Sequence, residues 1–292
     1  MYRYKILKCF IIFFAVIMAA PVLAEGVRDE IFYLDNDHTL NIVAEHLAAL
    51  KGDSVPELIK ILKESFNGKK VRTIAGTYKV SGLAQGTIIL KISEFNDHKA
   101  KDIVEKYLVK ANDRFAREAA AVALGSVGDV TSIPKLKAAL DDRDPVLQLY
   151  SARALGELGD TSGYAVARKY LSSDIRTLKT QALYALAMIG KPESRLLLEP
   201  ELKNPDYHDP ALLAIKIIEY RGVQAGQRPD FLKNILKENN GEVGYWAANE
   251  YLKLGAGYLD ELKKIAASKS YKSASAAAEL LEEKGIVSAE KK

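Results

Sequence analysis

The residues whose chemistry would support catalysis or metal binding are few and scattered in this chain. It has four histidines, His38, His46, His98 and His208, and one cysteine, Cys9. No two histidines stand at ligand spacing, and no HExxH pattern occurs. The glycine-rich motifs of nucleotide-binding proteins and the GxSxG motif of hydrolases do not occur in the sequence. The sequence therefore predicts a protein that is not an enzyme, with no cofactor and no metal site.

The acidic clusters have a simpler interpretation as turns and helix caps. Asp141, Asp142 and Asp144 form a carboxylate cluster, and Asp144 precedes a proline that suits the first turn of a helix. The triplets 36–38 and 96–98, both Asn-Asp-His, each precede an apolar helical segment, so we expect N-caps there rather than ligands. A calcium site at the first cluster would need further ligands that converge from elsewhere.

The segments that carry these residues repeat along the chain. Residues 121–129 (AVALGSVGD) match residues 152–160 (ARALGELGD) at a spacing of 31. Residues 183–191, another 31 residues along the chain, keep the glycine at the same position. Glycines close helical-period segments at intervals of 30 to 33, with one interval of 46. These glycines are Gly52, Gly82, Gly128, Gly159, Gly190, Gly222, Gly255 and Gly285. The regularity predicts a repeat protein with 15 surplus residues in one place.

Each unit is predicted to be a pair of helices. Glycine suits the left-handed position that ends the first helix. Pro134 fits the first turn of a shorter second helix, and Leu136, Ala139 and Leu140 follow it at helical spacing. We therefore expect an all-α fold. It would be an αα-solenoid, a right-handed superhelix of about seven to eight helix pairs with a period of about 31, forming a single repeat domain over residues 25–292.

The repeated segments resemble HEAT repeats of the short, phycobilisome-lyase-like type. Residues 114–190 carry the resemblance, while period and glycine position extend it to about 39–113 and 191–285. The resemblance implies a curved stack whose second helices line a concave side that binds proteins.

The same resemblance implies a polar link between neighbouring repeats. In such repeats the aspartate after the second glycine often pairs with an arginine of the next first helix. Asp129 with Arg153, and Asp160 with Arg176, are the candidates. The alternative is that these four residues are solvated surface charges of little energetic consequence.

The surplus residues are predicted to lie between Gly82 and Arg114, centred on residues 83–96. Gly82, Gly86 and the β-branched run 87–92 fit a helix poorly. We therefore expect a protruding loop, a short hairpin or an irregular second helix there. Insertions in repeat proteins map to loops on one face, so this segment is one candidate contact for a partner.

Exposed positions of the second helices are the main candidates for protein binding, because core packing does not fix them. They are Lys135, Lys137, Arg168, Lys169, Lys233 and Lys237. The aromatic residues near Trp246, namely Tyr245, Tyr251 and Tyr258, are more consistent with packing between helices than with a binding hot spot.

The N-terminus has the three parts of a secretory signal. Residues 1–8 are basic, residues 9–20 form an apolar run, and Val22 and Ala24 are the small residues of a cleavage site. We expect cleavage after Ala24 and an exported protein, periplasmic or secreted; the alternative is an uncleaved anchor. No second long apolar run follows, so no stable membrane span is expected after cleavage.

The charge balance bears on the partner. The chain has 42 Lys and Arg against 38 Asp and Glu. This near-neutrality gives no reason to expect a nucleic-acid partner. The leading hypothesis is a non-enzymatic exported scaffold that binds a protein through its concave groove. A chromophore-lyase-like or tetrapyrrole-handling protein is implied by the resemblance alone, and a self-assembling structural component of the envelope is a third hypothesis.

Overall fold

The computed structural model describes residues 27, 28, 31, 52–73 and 76–286. The expected signal peptide, its cleavage site and the Asn-Asp-His triplet at 36–38 lie outside these residues. The described part contains fourteen α-helices. They are α1 (Val55–Phe66), α2 (Gly82–Glu94), α3 (Lys101–Lys110), α4 (Arg114–Val127), α5 (Ile133–Ala139), α6 (Pro145–Glu157), α7 (Tyr164–Leu171), α8 (Arg176–Ile189), α9 (Ser194–Leu198), α10 (His208–Gly222), α11 (Arg228–Glu238), α12 (Gly241–Lys253), α13 (Leu259–Ala266) and α14 (Ala274–Glu283).

The helices confirm the predicted all-α solenoid of helix pairs. The even-numbered helices α2 to α14 are the first helices of their pairs, and the odd-numbered helices are the second helices. In the first unit, the first helices α2, α4 and α6 pack on one another, and α3 and α5 also pack on the next first helix. In the second unit, α11 packs on α12 and α13 packs on α14. Within each unit a helix pair therefore buries its apolar stripe against its neighbours.

The chain divides into two compact units, residues 1–185 and 186–292. In the first unit the core between first helices is built from small residues. Ala116, Ala120 and Ala123 of α4 are fully buried. A Cβ on Gly163, at the start of α7, would lie 2.5 Å from the Cα of Ala152 on α6. Only glycine allows this approach, which brings the second helix against the first one in the pair.

The segment Gly82–Glu94 is a regular first helix, so the irregular insertion predicted at 83–96 is wrong. Ser81 caps the helix, because its hydroxyl accepts a hydrogen bond from the backbone N–H of Ala84 at 3.1 Å. Ile88, Ile89 and Ile92 are buried in the core of the first unit. Packing of these β-branched side chains outweighs their weak preference for strands.

The surplus lies upstream, in the 15 residues 67–81 that join α1 to α2. The corresponding connections after α3, α5 and α7 have three to five residues. The long connection holds an antiparallel hairpin of β1 (Val71–Thr73) and β2 (Gly76–Tyr78). Val71 is paired with Tyr78, and Thr73 with Gly76. This hairpin was missed by the sequence prediction.

The predicted glycine positions need correction at several residues. Gly82 begins a helix instead of ending one, and neither Gly128, with φ −78°, nor Gly222 adopts the left-handed conformation. The residue that follows α2 in the left-handed conformation is Asn96, with φ 51°, and it stands 32 residues before Gly128. Gly159 and Gly190 then follow at intervals of 31, with φ 81° and 71°. Asparagine tolerates this conformation better than most residues, so it replaces the glycine of the repeat.

The second unit uses aromatic side chains between its helices. The ring of Tyr220 on α10 meets the ring of Trp246 on α12 edge-on at 5.6 Å between centroids. Tyr251 is buried, and its ring contacts that of Tyr258 at 5.2 Å. The packing role expected for these aromatics is confirmed for Tyr251, whereas Trp246 is only half-buried.

Candidate protein-binding surfaces

The second helices of the first unit form its most strongly charged surface. Helices α3, α5 and α7 carry seven cationic and two anionic side chains, a net +5. The first helices α2, α4 and α6 carry four cationic and three anionic side chains, a net +1. The positive charge is therefore concentrated on the layer of second helices. Four of the predicted binding residues belong to this layer, namely Lys135, Lys137, Arg168 and Lys169.

Three of the six predicted binding cations are engaged in ion pairs. The Nζ atom of Lys135 lies 2.8 Å from a carboxylate oxygen of Glu105, and that of Lys137 lies 2.8 Å from Asp160. Lys233 on α11 pairs with Glu261 on α13. Each pair joins neighbouring repeats. Reversing these charges would place two carboxylates together, so these three lysines are first of all stacking residues.

The other three predicted cations are exposed. Arg168, Lys169 and Lys237 all point into solvent. The Nζ atom of Lys169 lies 4.8 Å from the ring centroid of Tyr170, which orders this side chain without neutralising it. These residues keep their charge available for a ligand.

The aspartates join repeats through lysines of the preceding second helix. Asp129 pairs with Lys101 of the preceding second helix at 2.9 Å, and Asp160 pairs with Lys137 in the same way. Arg153 pairs with Glu157, one turn along its own helix, at 2.9 Å. The aspartate sits at the start of a second helix, where the neighbouring second helix is the nearer source of a cation. The pairing of Asp129 with Arg153 and of Asp160 with Arg176 stays a prediction.

Hydrogen bonds hold these carboxylates in the ionised form. The pKa of Asp129 is lowered by the hydroxyl of Thr131 and by the ammonium of Lys101. For Asp160, burial acts to raise the pKa, but hydrogen bonds from Lys137 and Ser162 outweigh it and the net shift is downward. Both aspartates are thus charged links between repeats at neutral pH.

A buried carboxylate continues this network. Glu105 on α3 accepts a hydrogen bond from the hydroxyl of Ser132 at 2.7 Å in addition to its pair with Lys135. Ser132 in turn accepts a hydrogen bond from the backbone N–H of Asp129 at 3.4 Å. Because both oxygens of Glu105 are engaged, this buried acid fixes the position of α5 against α3.

Arginines of the preceding repeat form ion pairs with two carboxylates of the cluster Asp141–Asp144. Asp144 caps α6, as predicted, by accepting a hydrogen bond from the N–H of Val146 at 3.0 Å, and it pairs with Arg114 at 2.7 Å. Asp142 pairs with Arg117. Within the described residues, no group of three or more His, Cys, Asp or Glu is arranged to hold a metal ion.

Asp97 also acts as the expected cap. Its side chain accepts a hydrogen bond from the backbone N–H of Lys99 at 2.9 Å, at the start of a 3-10 turn over His98–Ala100. His98 makes a hydrogen-bond contact from Nδ1 to the carbonyl oxygen of Val127 at 3.0 Å. This histidine therefore ties neighbouring repeats together.

Two sets of exposed cations were missed by the sequence prediction. Lys106 and Lys110 belong to the same layer as Arg168 and Lys169, and a test of every second-helix position would have found them. Arg72 lies on the hairpin and Lys70 and Lys79 flank its strands, where the alternation of polar and apolar residues from 70 to 72 and from 77 to 80 was the available signal. Together they extend the basic surface of the first unit beyond the predicted set.

The lengths and polarity of the helices bear on whether one of them could span a membrane. In the part of the chain that the structure describes, every helix is too short or too polar to cross a bilayer.

Comparison with known proteins identifies the repeat. The family model for HEAT repeats matches residues 81–148 and 133–219. No curated protein matches the chain. HEAT repeats generally serve as scaffolds for protein–protein interaction, since the stack presents an extended surface. The match is to HEAT repeats as such, and the phycobilisome-lyase-like type stays a prediction. From residue 81 to residue 219, this chain is similar to HEAT repeats.

Proposed function

We propose that this protein is an exported, non-enzymatic scaffold that binds a protein partner through the second-helix face of its first unit. The observation that carries the proposal is the set of exposed cations on that face that form no ion pair with the described residues. Lys106 and Lys110 lie on α3, Arg168 and Lys169 lie on α7, and no carboxylate of the described residues forms an ion pair with them.

The contrast with the paired cations of the same face supports a binding role. Lys101, Lys135 and Lys137 neutralise carboxylates and hold the repeats together. The four remaining cations contribute nothing comparable to the stack, so they are free to pair with acidic groups of a partner. Charge complementarity of this kind increases association rates and selects the partner.

Export is supported by the sequence pattern of residues 1–24. The mature N-terminus would then be Glu25. Intact mass of the protein recovered from the envelope fraction tests this directly, because retention of Met1 contradicts cleavage. The non-enzymatic assignment is supported by His98, which links neighbouring repeats, and by Asp97 and Asp144, which serve as caps.

The test of the binding face is affinity capture from the envelope fraction of the source cells. The variant combines Lys106→Glu, Lys110→Glu, Arg168→Glu and Lys169→Glu. A matched control reverses Lys203, Lys264, Lys269 and Lys272, which are exposed residues of the second unit. Both change the net charge equally, and surface substitutions of this type usually shift stability by no more than ~0.5 kcal/mol each.

We expect the unchanged protein and the control to enrich the same protein, while the variant loses it at an unchanged melting temperature. Equal capture by the variant and the control contradicts the assignment of this face. Failure of the unchanged protein to capture any protein contradicts the scaffold function itself.

A further inference from the structure

We propose that the hairpin between α1 and α2 is a docking surface for an acidic segment of a protein partner, recognised through its carboxylates. This inference rests on the proposed scaffold function and names a second part of the surface together with the chemistry of its ligand. The hairpin interrupts the repeat, and insertions in repeat proteins often belong to the binding face.

The register separates a packed face from a solvent face. Val71 is fully buried and stands opposite the half-buried Tyr78. The next pair, Arg72 and Thr77, points the other way, and both residues are exposed. The hairpin is thus fixed on the core of the first unit by one face and presents the other to solvent.

The solvent face carries like charges without compensation. Continuing the register beyond Val71 and Tyr78 places Lys70 opposite Lys79, next to Arg72 on the same face. Like charges directly opposite each other destabilise a strand pair. No ion pair within the described residues neutralises these three cations. An anionic ligand would relieve this repulsion.

The neighbouring sequence offers no free acidic residue that could neutralise these cations. Residues 65–93 contain five cationic residues and no acid. The two nearest acids along the chain are already engaged: Glu64 pairs with Arg28 at 2.9 Å, and Glu94 pairs with Lys91 at 2.8 Å. The described acids that are nearest in sequence therefore do not neutralise these cations.

The geometry favours carboxylates of a protein segment over a membrane or a nucleic acid. The described residues of strands β1 and β2 include no large apolar side chain among those that are most exposed, so this face presents cations and not apolar groups. The one aromatic residue of its strands, Tyr78, lies on the packed face and is not available to stack on bases. By contrast, the fork of Arg72 matches a carboxylate, and a sheet of two strands leaves edges to which an extended segment can pair.

The probe is a fluorescent oligoglutamate peptide titrated with the purified protein and followed by anisotropy. The variant combines Lys70→Glu, Arg72→Glu and Lys79→Glu. The control combines Lys264→Glu, Lys269→Glu and Lys272→Glu, which are exposed in the second unit and change the net charge by the same amount. We expect the hairpin variant to lose about tenfold or more in affinity and the control to stay within about twofold, since each exposed pair contributes modestly. Equal affinities of the two variants overturn the proposal.

A milder variant guards against misfolding. Lys70→Ala with Lys79→Ala removes the cross-strand repulsion, so we expect an equal or higher melting temperature together with weaker peptide binding. Retained binding in this variant overturns the assignment of these lysines. The same titrations use vesicles containing phosphatidylglycerol and a single-stranded oligothymidylate of matched charge. Tighter binding of either one than of the peptide, lost in the hairpin variant, overturns the choice of a protein ligand.

Envelope capture with these variants separates the two proposals. If the hairpin variant captures the same partner as the unchanged protein, the docking role of the hairpin is overturned while the scaffold function stands. If no variant captures any protein, the scaffold function is overturned, and the peptide titration alone decides whether the hairpin binds carboxylates.

Discussion

The two compact units stack their helices with different side chains. In the first unit, α4 buries mostly alanine, and glycines such as Gly163 let helices approach closely. In the second unit, Tyr220, Trp246 and Tyr251 separate the helices. The match to the HEAT model covers residues 81–219, which include helices of both units. The helix-pair architecture thus tolerates both kinds of packing.

Polar links between repeats differ in the same way. The first unit uses aspartates at the starts of second helices, such as Asp129 with Lys101. The second unit uses a mixed cluster in which the hydroxyl of Tyr251 donates to Glu261 at 2.5 Å and Lys233 pairs with the same carboxylate. Burial and the adjacent Glu261 raise the pKa of the Tyr251 hydroxyl, so it stays a donor. The second unit therefore depends on one residue for both packing and polar contact.

The largest expected effect follows from that dependence. Tyr251→Ala should lower the free energy of unfolding by ~3–5 kcal/mol, because it leaves a cavity and removes the partner of Glu261. Tyr251→Phe keeps the ring and should cost only ~1 kcal/mol. Urea unfolding of both variants measures the difference. Equal costs would mean that the ring does not support the second unit.

Close packing in the first unit predicts the next effect. Gly163→Ala should cost ~1–3 kcal/mol, because the new Cβ would meet the backbone of Ala152 and the helices must move apart. Gly222→Ala is the matched control, since no atom lies within 4 Å of its Cβ position. Thermal unfolding of the two variants compares them. A neutral Gly163→Ala contradicts the close approach of α7 to α6.

The left-handed residue that follows helix α2 predicts a smaller effect on stability. Asn96→Ala should cost ~1 kcal/mol, because alanine disfavours the left-handed conformation that Asn96 adopts. Asn96→Gly should be close to neutral, since glycine restores the residue used in the other repeats. Denaturant unfolding distinguishes the pair, and an equally tolerated alanine would count against this position as the missing glycine.

The smallest effect concerns the acid dependence of stability. The folded-state pKa of Asp129 is lowered by Thr131 and Lys101, so the unfolded chain binds more protons below the ordinary aspartate pKa of about 3.9. The contribution of Asp129 is therefore present above that pH and is lost as the pH falls. Asp129→Asn should flatten the melting temperature between about pH 4 and pH 2, relative to the exposed control Asp174→Asn. An unchanged slope contradicts the link.

Sequence reasoning reached the helix pairs because their determinants are local and periodic. The 31-residue spacing, the cap at Asp144 and the proline in the first turn of α5 all depend on neighbouring residues. The run at 87–92 was misjudged because β-branched residues are decided by burial, which a single sequence does not display.

The candidate site was only partly predictable for a related reason. Lys137 and Arg168 are both cationic residues of second helices, yet one pairs with Asp160 and the other is exposed. That difference depends on contacts between repeats, about 20 to 30 residues apart in the chain. The layer was therefore predictable, but the division into stacking and available cations was not.

The central claim, protein binding by the second-helix face of the first unit, is tested most directly by site-specific photo-crosslinking in intact cells. A photoreactive residue would replace Ala138 or Ala165, which are exposed on α5 and α7, and Thr177, exposed on the first helix α8, would be the control. We predict that the first two positions yield the same crosslinked protein and that the control yields none. A crosslink from Thr177 alone would contradict the claim.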